Sequence, residues 1–155
     1  MAIPAELRQS HTLVRPISVA AGTGSRLHGA ELAADRDPAT FWVSNRDGSQ
    51  PGHGPTPEHP EWLELTLRGD EQIDEVVILP RPRYGPRRVA LSVDGTRVHE
   101  SQMADAPLRL ALPQPAKARR LRLDITASYD PLYPTQPRNV QVAEVLLLRR
   151  ATVQD

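Results

Sequence analysis

Apolar and polar residues alternate through much of the second half of this chain. Leu63, Leu65 and Leu67 are separated by Glu64 and Thr66, the two-residue period of a half-buried strand. Residues 73–79 predict a second strand, ended by Pro80. Val89, Leu91 and Val93 alternate again. Asp94-Gly95 is then a strong hairpin signal, leading into a returning strand over residues 97–100. Leu108, Leu110 and Leu112 repeat the pattern, as do Leu121, Leu123 and Ile125, whose other face carries Arg120, Arg122 and Asp124. Residues 140–148 form the last predicted strand. Its near-continuous apolar end implies burial on both faces.

The first half is less regular. Leu13-Val14 through Val19-Ala20 reads as a strand interrupted by Pro16, which places it at a sheet edge. Residues 22–26 are a turn, and 28–34 fit either a short helical turn or an irregular loop. Residues 44–60 are rich in Gly, Pro, Ser and His without periodicity, which marks a long exposed loop. Loops of that length in a compact domain tend to be functional or mobile. No stretch keeps a helical period beyond a turn or two. Short strands at fairly even spacing, punctuated by Pro and Asp-Gly, predict an all-β fold, an antiparallel β-sandwich. One domain over residues 13–149 is expected, after a lead-in or linker at 1–12 and before a short tail at 150–155.

Composition excludes several function classes. The chain has 155 residues, enough for one domain with a real core. Its 19 basic and 19 acidic residues balance, so no basic field points to nucleic acid or an anionic membrane. There is no cysteine, hence no disulfide and no thiolate metal site. No run approaches the roughly 20 apolar residues of a membrane span, and residues 1–12 lack the apolar core of a signal peptide. GxSxG, Walker, HExxH and GxGxxG motifs are all missing. Asp70/Glu71 and Asp74/Glu75 read as solvated turns. The chain is expected not to be an enzyme.

The densest chemistry lies in Ala34-Asp35-Arg36-Asp37-Pro38-Ala39-Thr40-Phe41-Trp42. Asp35 and Asp37 are close enough for one loop to aim both at a hard cation, with Thr40 adding an oxygen. The same two carboxylates could instead cap a turn. An arginine-rich loop follows the second strand, Pro80-Arg81-Pro82-Arg83-Tyr84-Gly85-Pro86-Arg87-Arg88. Its guanidinium forks suit sugar hydroxyls or a carboxylate, and together they would suit an anionic glycan or phosphate. The alternative is a solvated loop paired to nearby acids. A third loop, Ser128-Tyr129-Asp130-Pro131-Leu132-Tyr133-Pro134, offers two tyrosines that could stack on sugar C–H faces or pack the sandwich end.

In order, the chain carries an Asp-Arg-Asp-Pro-Ala-Thr-Phe-Trp loop, a Pro-Glu-Trp-Leu-Glu-Leu strand and a strand ending Leu79-Pro80-Arg81. A Val-Ala-Leu-Ser-Val-Asp-Gly hairpin, an Ala-Arg-Arg-Leu-Arg-Leu-Asp-Ile strand and a closing Val-Gln-Val-Ala-Glu-Val strand follow. This series resembles the discoidin, or coagulation factor 5/8 type C, domains and the galactose-binding-like carbohydrate-binding modules that share their fold. It covers about residues 13–149 and implies a jelly-roll β-sandwich. By the resemblance, a structural Ca2+ would be held by Asp35, Asp37 and Thr40, with Glu144 and the carbonyl of Ala143 on the last strand. Arg36 stands where the family loop usually has glycine. The resemblance also makes Arg81 a ligand residue, with Arg83, Tyr84, Tyr129 and Tyr133 as further candidates, and puts Trp42 and Trp62 in the core. Many galactose binders place a histidine directly after the aromatic of the first loop. Val43 stands there in this chain, and His53 or His59 could substitute. The resemblance therefore implies a saccharide, and not galactose in particular.

The expected function is a non-catalytic carbohydrate-binding module that holds a saccharide or glycan at the loops of one sandwich end. It would be an accessory domain beside a catalytic domain in a larger, extracellular protein. One alternative is a structural spacer or protein-interaction domain without a sugar ligand. A lipid-binding domain is another, for which Leu132 is the only apolar loop candidate.

Overall fold

A computed structural model describes residues 11–150. It contains eight strands, with two short 3-10 turns at Ala30–Ala33 and Arg46–Gly48. The strands are β1 (His11–Val14), β2 (Ser18–Ala21), β3 (Trp42–Val43), β4 (Glu61–Pro80), β5 (Pro86–Val93), β6 (Thr96–Gln102), β7 (Leu108–Ser128) and β8 (Gln141–Arg150). All strand pairs are antiparallel. The fold is the antiparallel β-sandwich that the alternation predicts.

Two of the strands are much longer than the sequence pattern suggests. Residues 63–67 and 73–79 are not separate strands but two arms of β4. Residues 108–112 and 121–125 are likewise two arms of β7. The arms pair crosswise: Leu63 stands opposite Leu123 and Leu65 opposite Leu121, while Val76 stands opposite Leu110. Register shifts between Thr66 and Glu71, and again between Ile73 and Glu75, bend the ribbon. Bulges of this kind turn a strand through a corner without ending it. The polar run Arg68-Gly69-Asp70-Glu71-Gln72 masks this continuity in the sequence. The first arm of β4 joins β2, β7, β5 and β6 in one layer. The second arm joins β8 and β1 in the other.

The layers close on one core. Leu63, Leu65, Leu91, Leu121, Leu123 and Ile125 from the first meet Val76, Ile78, Leu110, Val145 and Leu147 from the second. Residues 141–148 of β8 are all buried, as the near-continuous apolar end of the strand predicts, and the burial takes in Gln141 and Glu144 as well. Val142, Val145 and Leu147 face the main core. Ala143, Leu146 and Leu148 form a smaller cluster with Val77, Leu79 and Phe41 on the other side.

The predicted first strand is broken at Pro16 into two short edge strands. They take different partners, β1 pairing with β8 and β2 with β4. The Asp94-Gly95 hairpin forms with φ of 48° and 86°, the left-handed pair that favours Gly and Asp. Most of the lead-in and the tail lie outside the described residues; β1 begins at His11 and β8 ends at Arg150.

The two tryptophans part company. Trp42 is fully buried, its indole N–H donating to the Thr23 carbonyl at 2.9 Å. Trp62 is not in the core. The same alternation that buries Leu63 turns it outward, where the Arg122 guanidinium lies 4.5 Å from its ring. The resemblance implies a core position, but the residue's even-numbered place in the strand decides.

Leu123 lies between Leu63 and Leu91 and is buried to 1 % exposure. Leu123→Ala is expected to cost about 2–5 kcal/mol, read as a lower midpoint in chemical denaturation with an unchanged slope.

Candidate functional site

One end of the sandwich gathers the ends of β4 and β7 and the start of β8, with the long connections between them. The β4–β5 loop is held tightly there. The Arg81 N–H donates to the Gln141 carbonyl at 3.3 Å, and the Gln141 N–H returns to the Tyr84 carbonyl at 2.9 Å. The Tyr84 N–H closes the turn onto the Arg81 carbonyl, and the Tyr129 N–H ties β7 to the Gly85 carbonyl. A Cβ on Gly85 would sit 2.3 Å from Pro80 Cβ, so only glycine lets the loop fold back on itself here.

This scaffold fixes Arg81. Its guanidinium lies 4.1 Å from the Phe41 ring centre and 5.2 Å from that of Tyr84. Nη1 donates to Gln141 Oε1 at 2.5 Å, and Gln141 Nε2 donates in turn to Asn139 Oδ1 at 3.0 Å. His28 stacks on Phe41 with ring centres 4.3 Å apart. Among the described residues the remaining N–H groups of Arg81 meet no protein acceptor, and none is buried. A half-exposed planar fork, held between two rings, is thus left with donors for a ligand.

Arg138 makes a second fixed cation. It grips the nearly buried Asp130 at 2.8 and 3.1 Å through Nε and Nη2. The Asp130 carboxyl is held below its ordinary range: hydrogen bonds from Arg138 and from the Arg138 and Leu132 N–H groups outweigh burial, the largest single influence. The Arg138 guanidinium lies 4.9 Å from the Tyr133 ring.

The structure thus brings together Arg81 and Tyr84, while Tyr133, which is 40 % exposed, lies against Arg138. Arg83 and Tyr129 turn to the other side of the loop. The Arg83 N–H donates to Asp105 Oδ1 at 2.8 Å, and the Tyr129 hydroxyl donates to the Met103 carbonyl at 2.8 Å. Phe41, His28, Gln141 and Arg138 are functional candidates that the sequence reading misses. Only Phe41 had a signal, as the residue next to the predicted core anchor Trp42. The histidine that joins the stack is His28, rather than His53 or His59. Leu132 is not the only exposed apolar side chain either, since Leu27 and Ile17 are 80 % and 59 % exposed.

The 35–40 loop docks against β8 beside Phe41. Its carboxylates cap the turn: Asp35 Oδ1 accepts the Asp37 N–H at 3.0 Å and Asp37 Oδ1 accepts the Ala39 N–H at 2.9 Å. The Thr40 hydroxyl donates to Asp35 Oδ2 at 2.5 Å. Arg36 takes the left-handed φ of 64° that glycine would take freely, and its N–H donates to Glu144 Oε1 at 3.0 Å. Glu144 is 1 % exposed, and its second oxygen is buried without a partner. Desolvation, with further pressure from Asp35 and Asp37, pushes the Glu144 carboxyl up from 4.5 to about 8, against the Arg36 N–H. Ala143 stands at the register shift between the Leu79–Glu144 and Pro80–Val142 pairs.

An orphaned buried carboxylate oxygen beside two more carboxylates fits a hard cation. Among the described residues no three His, Cys, Asp or Glu side chains converge as a metal cluster. A cation here would therefore need Thr40 and backbone carbonyls as well, which is the mixed oxygen shell calcium accepts.

Without a cation, Glu144 favours the folded state most when protonated. Its contribution is full below about pH 4.5 and is lost as pH rises through about 8, at up to about 1.4 kcal/mol per pH unit. Chelator-treated protein should thus melt at lower temperature from pH 5 to pH 8, and Glu144→Gln should flatten that slope.

Comparison with known proteins bears on the whole assembly. The family model for the F5/8 type C domain matches residues 16–136. No curated protein sequence matches at a significant level. Among solved structures, the chain is similar to the family 32 carbohydrate-binding module of Clostridium perfringens NanJ, solved with galactose. The TM-score is 0.72 at 15 % identity, over 90 % of this chain and 99 % of that one. It is also similar to chitosan-binding module 1 of a Paenibacillus chitosanase/glucanase, with a TM-score of 0.70 at 15 % identity over 90 % and 99 %. A third is the family 32 module of AlyQ in complex with 4,5-unsaturated mannuronic acid, with a TM-score of 0.64 at 14 % identity over 88 % and 98 %. A larger AlyQ structure, of which this chain spans 34 %, carries that module beside an alginate lyase domain.

Proposed function

The chain belongs to the F5/8 type C domain family, and from that we propose that it is a non-catalytic carbohydrate-binding module, an accessory domain of a larger carbohydrate-active protein. The observation that carries this reading is the fixed Arg81 fork, clamped by Phe41, Tyr84 and Gln141 at the loop end of the sandwich. Donors already ordered before binding lose little side-chain freedom when a sugar arrives. Arg81 donates to ligand hydroxyls, and the half-exposed Tyr133 ring offers a face for sugar C–H groups. Arg138 holds that ring in place. The chemistry offered at this end is hydrogen bonding and stacking. Similarity in fold to modules solved with galactose or an unsaturated uronic acid supports a saccharide as the ligand class. The AlyQ pairing with a lyase domain supports the accessory role.

Calcium is the cofactor of this reading. Asp35, Asp37, Thr40, Glu144 and the Ala143 carbonyl would hold it. When bound, it would offset two of the three carboxylate charges and tie the 35–40 loop to β8. That loop leads into Phe41, so the ion would stiffen one wall of the Arg81 clamp.

A single shallow site of this kind binds weakly, and tethering to a catalytic domain or to further modules supplies the rest.

Two experiments test the proposal. A glycan array should return saccharide ligands for the wild-type chain, and Arg81→Ala should weaken the best of them at least about tenfold, or ~1.4 kcal/mol. Unchanged affinity would remove Arg81 from the site, and silence across the array at high protein concentration would favour the spacer reading. Separately, calcium at about 100 times its Kd should stabilise chelator-treated protein by roughly 2.7 kcal/mol, seen as a higher Tm. Asp35→Ala should abolish the rise; no rise in the wild type refutes the ion.

A further inference from the structure

Arg83 and Tyr129, which turn away from the Arg81 clamp, meet on the opposite side of the β4–β5 loop. With Arg87, Asp105, Asp130 and Pro134 they line a cleft of about 280 Å³. A second depression of about 570 Å³ shares Arg87 and Tyr129 with it and lies across β6, β5 and β7, past Gln102, Arg88 and Thr126. Together these adjoining depressions make a groove in which Arg87 and Tyr129 line both parts.

The charges in this groove do not balance. Asp130 is committed to Arg138, and Asp105 accepts the backbone N–H of Arg83. Most of the arginines on the neighbouring sheet face have carboxylate partners: Arg97 with Glu100, Arg119 with Asp70, Arg120 with Glu64, and Arg122 with Glu64 and Asp124. Among the described residues the guanidinium groups of Arg83, Arg87 and Arg88 have none. All three are exposed, and they fall within six positions of the chain. Two are also positioned. Arg87 lies 5.2 Å from the Tyr129 ring centre, and that tyrosine is fixed at both ends by the Met103 and Gly85 carbonyls. Arg83 sits at φ 77°, where glycine would be unstrained, and its N–H bond to Asp105 holds it there.

Uncompensated guanidinium groups along a groove, one held by an aromatic ring, are a receptor for oxyanions. We propose that this groove is a subsite for an acidic polysaccharide, whose carboxylate or sulfate groups are bound by Arg83, Arg87 and Arg88. It lies on the other side of the β4–β5 loop from Arg81 and, as a second contact for a glycan, rests on the glycan-binding reading.

The test compares matched polymers on the full chain: polygalacturonate against its fully methyl-esterified form, and dextran sulfate against dextran. At about 20 mM salt an acidic member should bind at least tenfold more tightly than its neutral partner. The gap should shrink at about 300 mM, where charges are screened. It should vanish in the Arg87→Ala/Arg88→Ala variant, whose Tm should match wild type because both side chains are exposed. The pair that shows the gap distinguishes carboxylate from sulfate. Equal binding within both pairs, or a gap that survives the double variant, overturns the proposal. A neutral glycan bound at Arg81 without any acidic preference sinks this inference alone. Failure to hold any glycan sinks both readings.

Discussion

The pairing of β4 with β7 is the constraint on which the molecule depends. Each strand crosses the corner between the layers, so the two sheets are hydrogen-bonded parts of one bent ribbon. Layers in most sandwiches are joined through loops and side-chain packing alone. Here the corner also fixes where both strands end. β4 stops at Pro80 and β7 at Ser128, and those endpoints launch the loops that carry Arg81 and Tyr129. The loop end inherits its geometry from the register of apolar pairs such as Leu63–Leu123.

That dependence explains what could be read in advance. Alternation is a property of a few neighbouring residues, so Leu63-Leu65-Leu67 and Leu121-Leu123-Ile125 declare themselves as strands. Their continuity with residues 73–79 and 108–112 is long-range, since a polar bulge can either end a strand or bend it. The left-handed Asp94-Gly95 turn is legible because its chemistry is local. The Arg81 clamp is only half legible. Leu79-Pro80-Arg81 marks the arginine, but Phe41 and Gln141 approach it from 40 and 60 positions away, and nothing in their own neighbourhoods announces the meeting. Arg138 and Asp130 find each other within an aperiodic loop. Trp62 shows the opposite failure: the resemblance implied a core position that strand parity forbids.

The two ends of β8 serve different demands. Near its start, Gln141 and Glu144 are polar groups in a stretch where every residue is buried. Gln141 is satisfied on both sides, by Arg81 and by Asn139. Glu144 is not, with one oxygen bonded to the Arg36 N–H and the other orphaned. Buried polar groups without partners are rare because they cost stability. This one adjoins the only strained arginine of its loop, in a position that glycine would fill more easily. Both oddities sit at the contact between the 35–40 loop and the last strand. The fold tolerates local strain there while the main core beneath is apolar throughout.

The β1–β8 pairing has a consequence for the two ends of the fold. His11 stands opposite Arg150, so the described chain enters and leaves one sheet spacing apart, roughly 5 Å. The Arg81 clamp meets β8 at Gln141, nine residues earlier, roughly 30 Å away along the strand. The two described ends therefore lie side by side, at the side of the molecule remote from the Arg81 loop, and the β1–β8 ladder joins entry and exit of the fold directly: opening that one pair of strands would release both ends together.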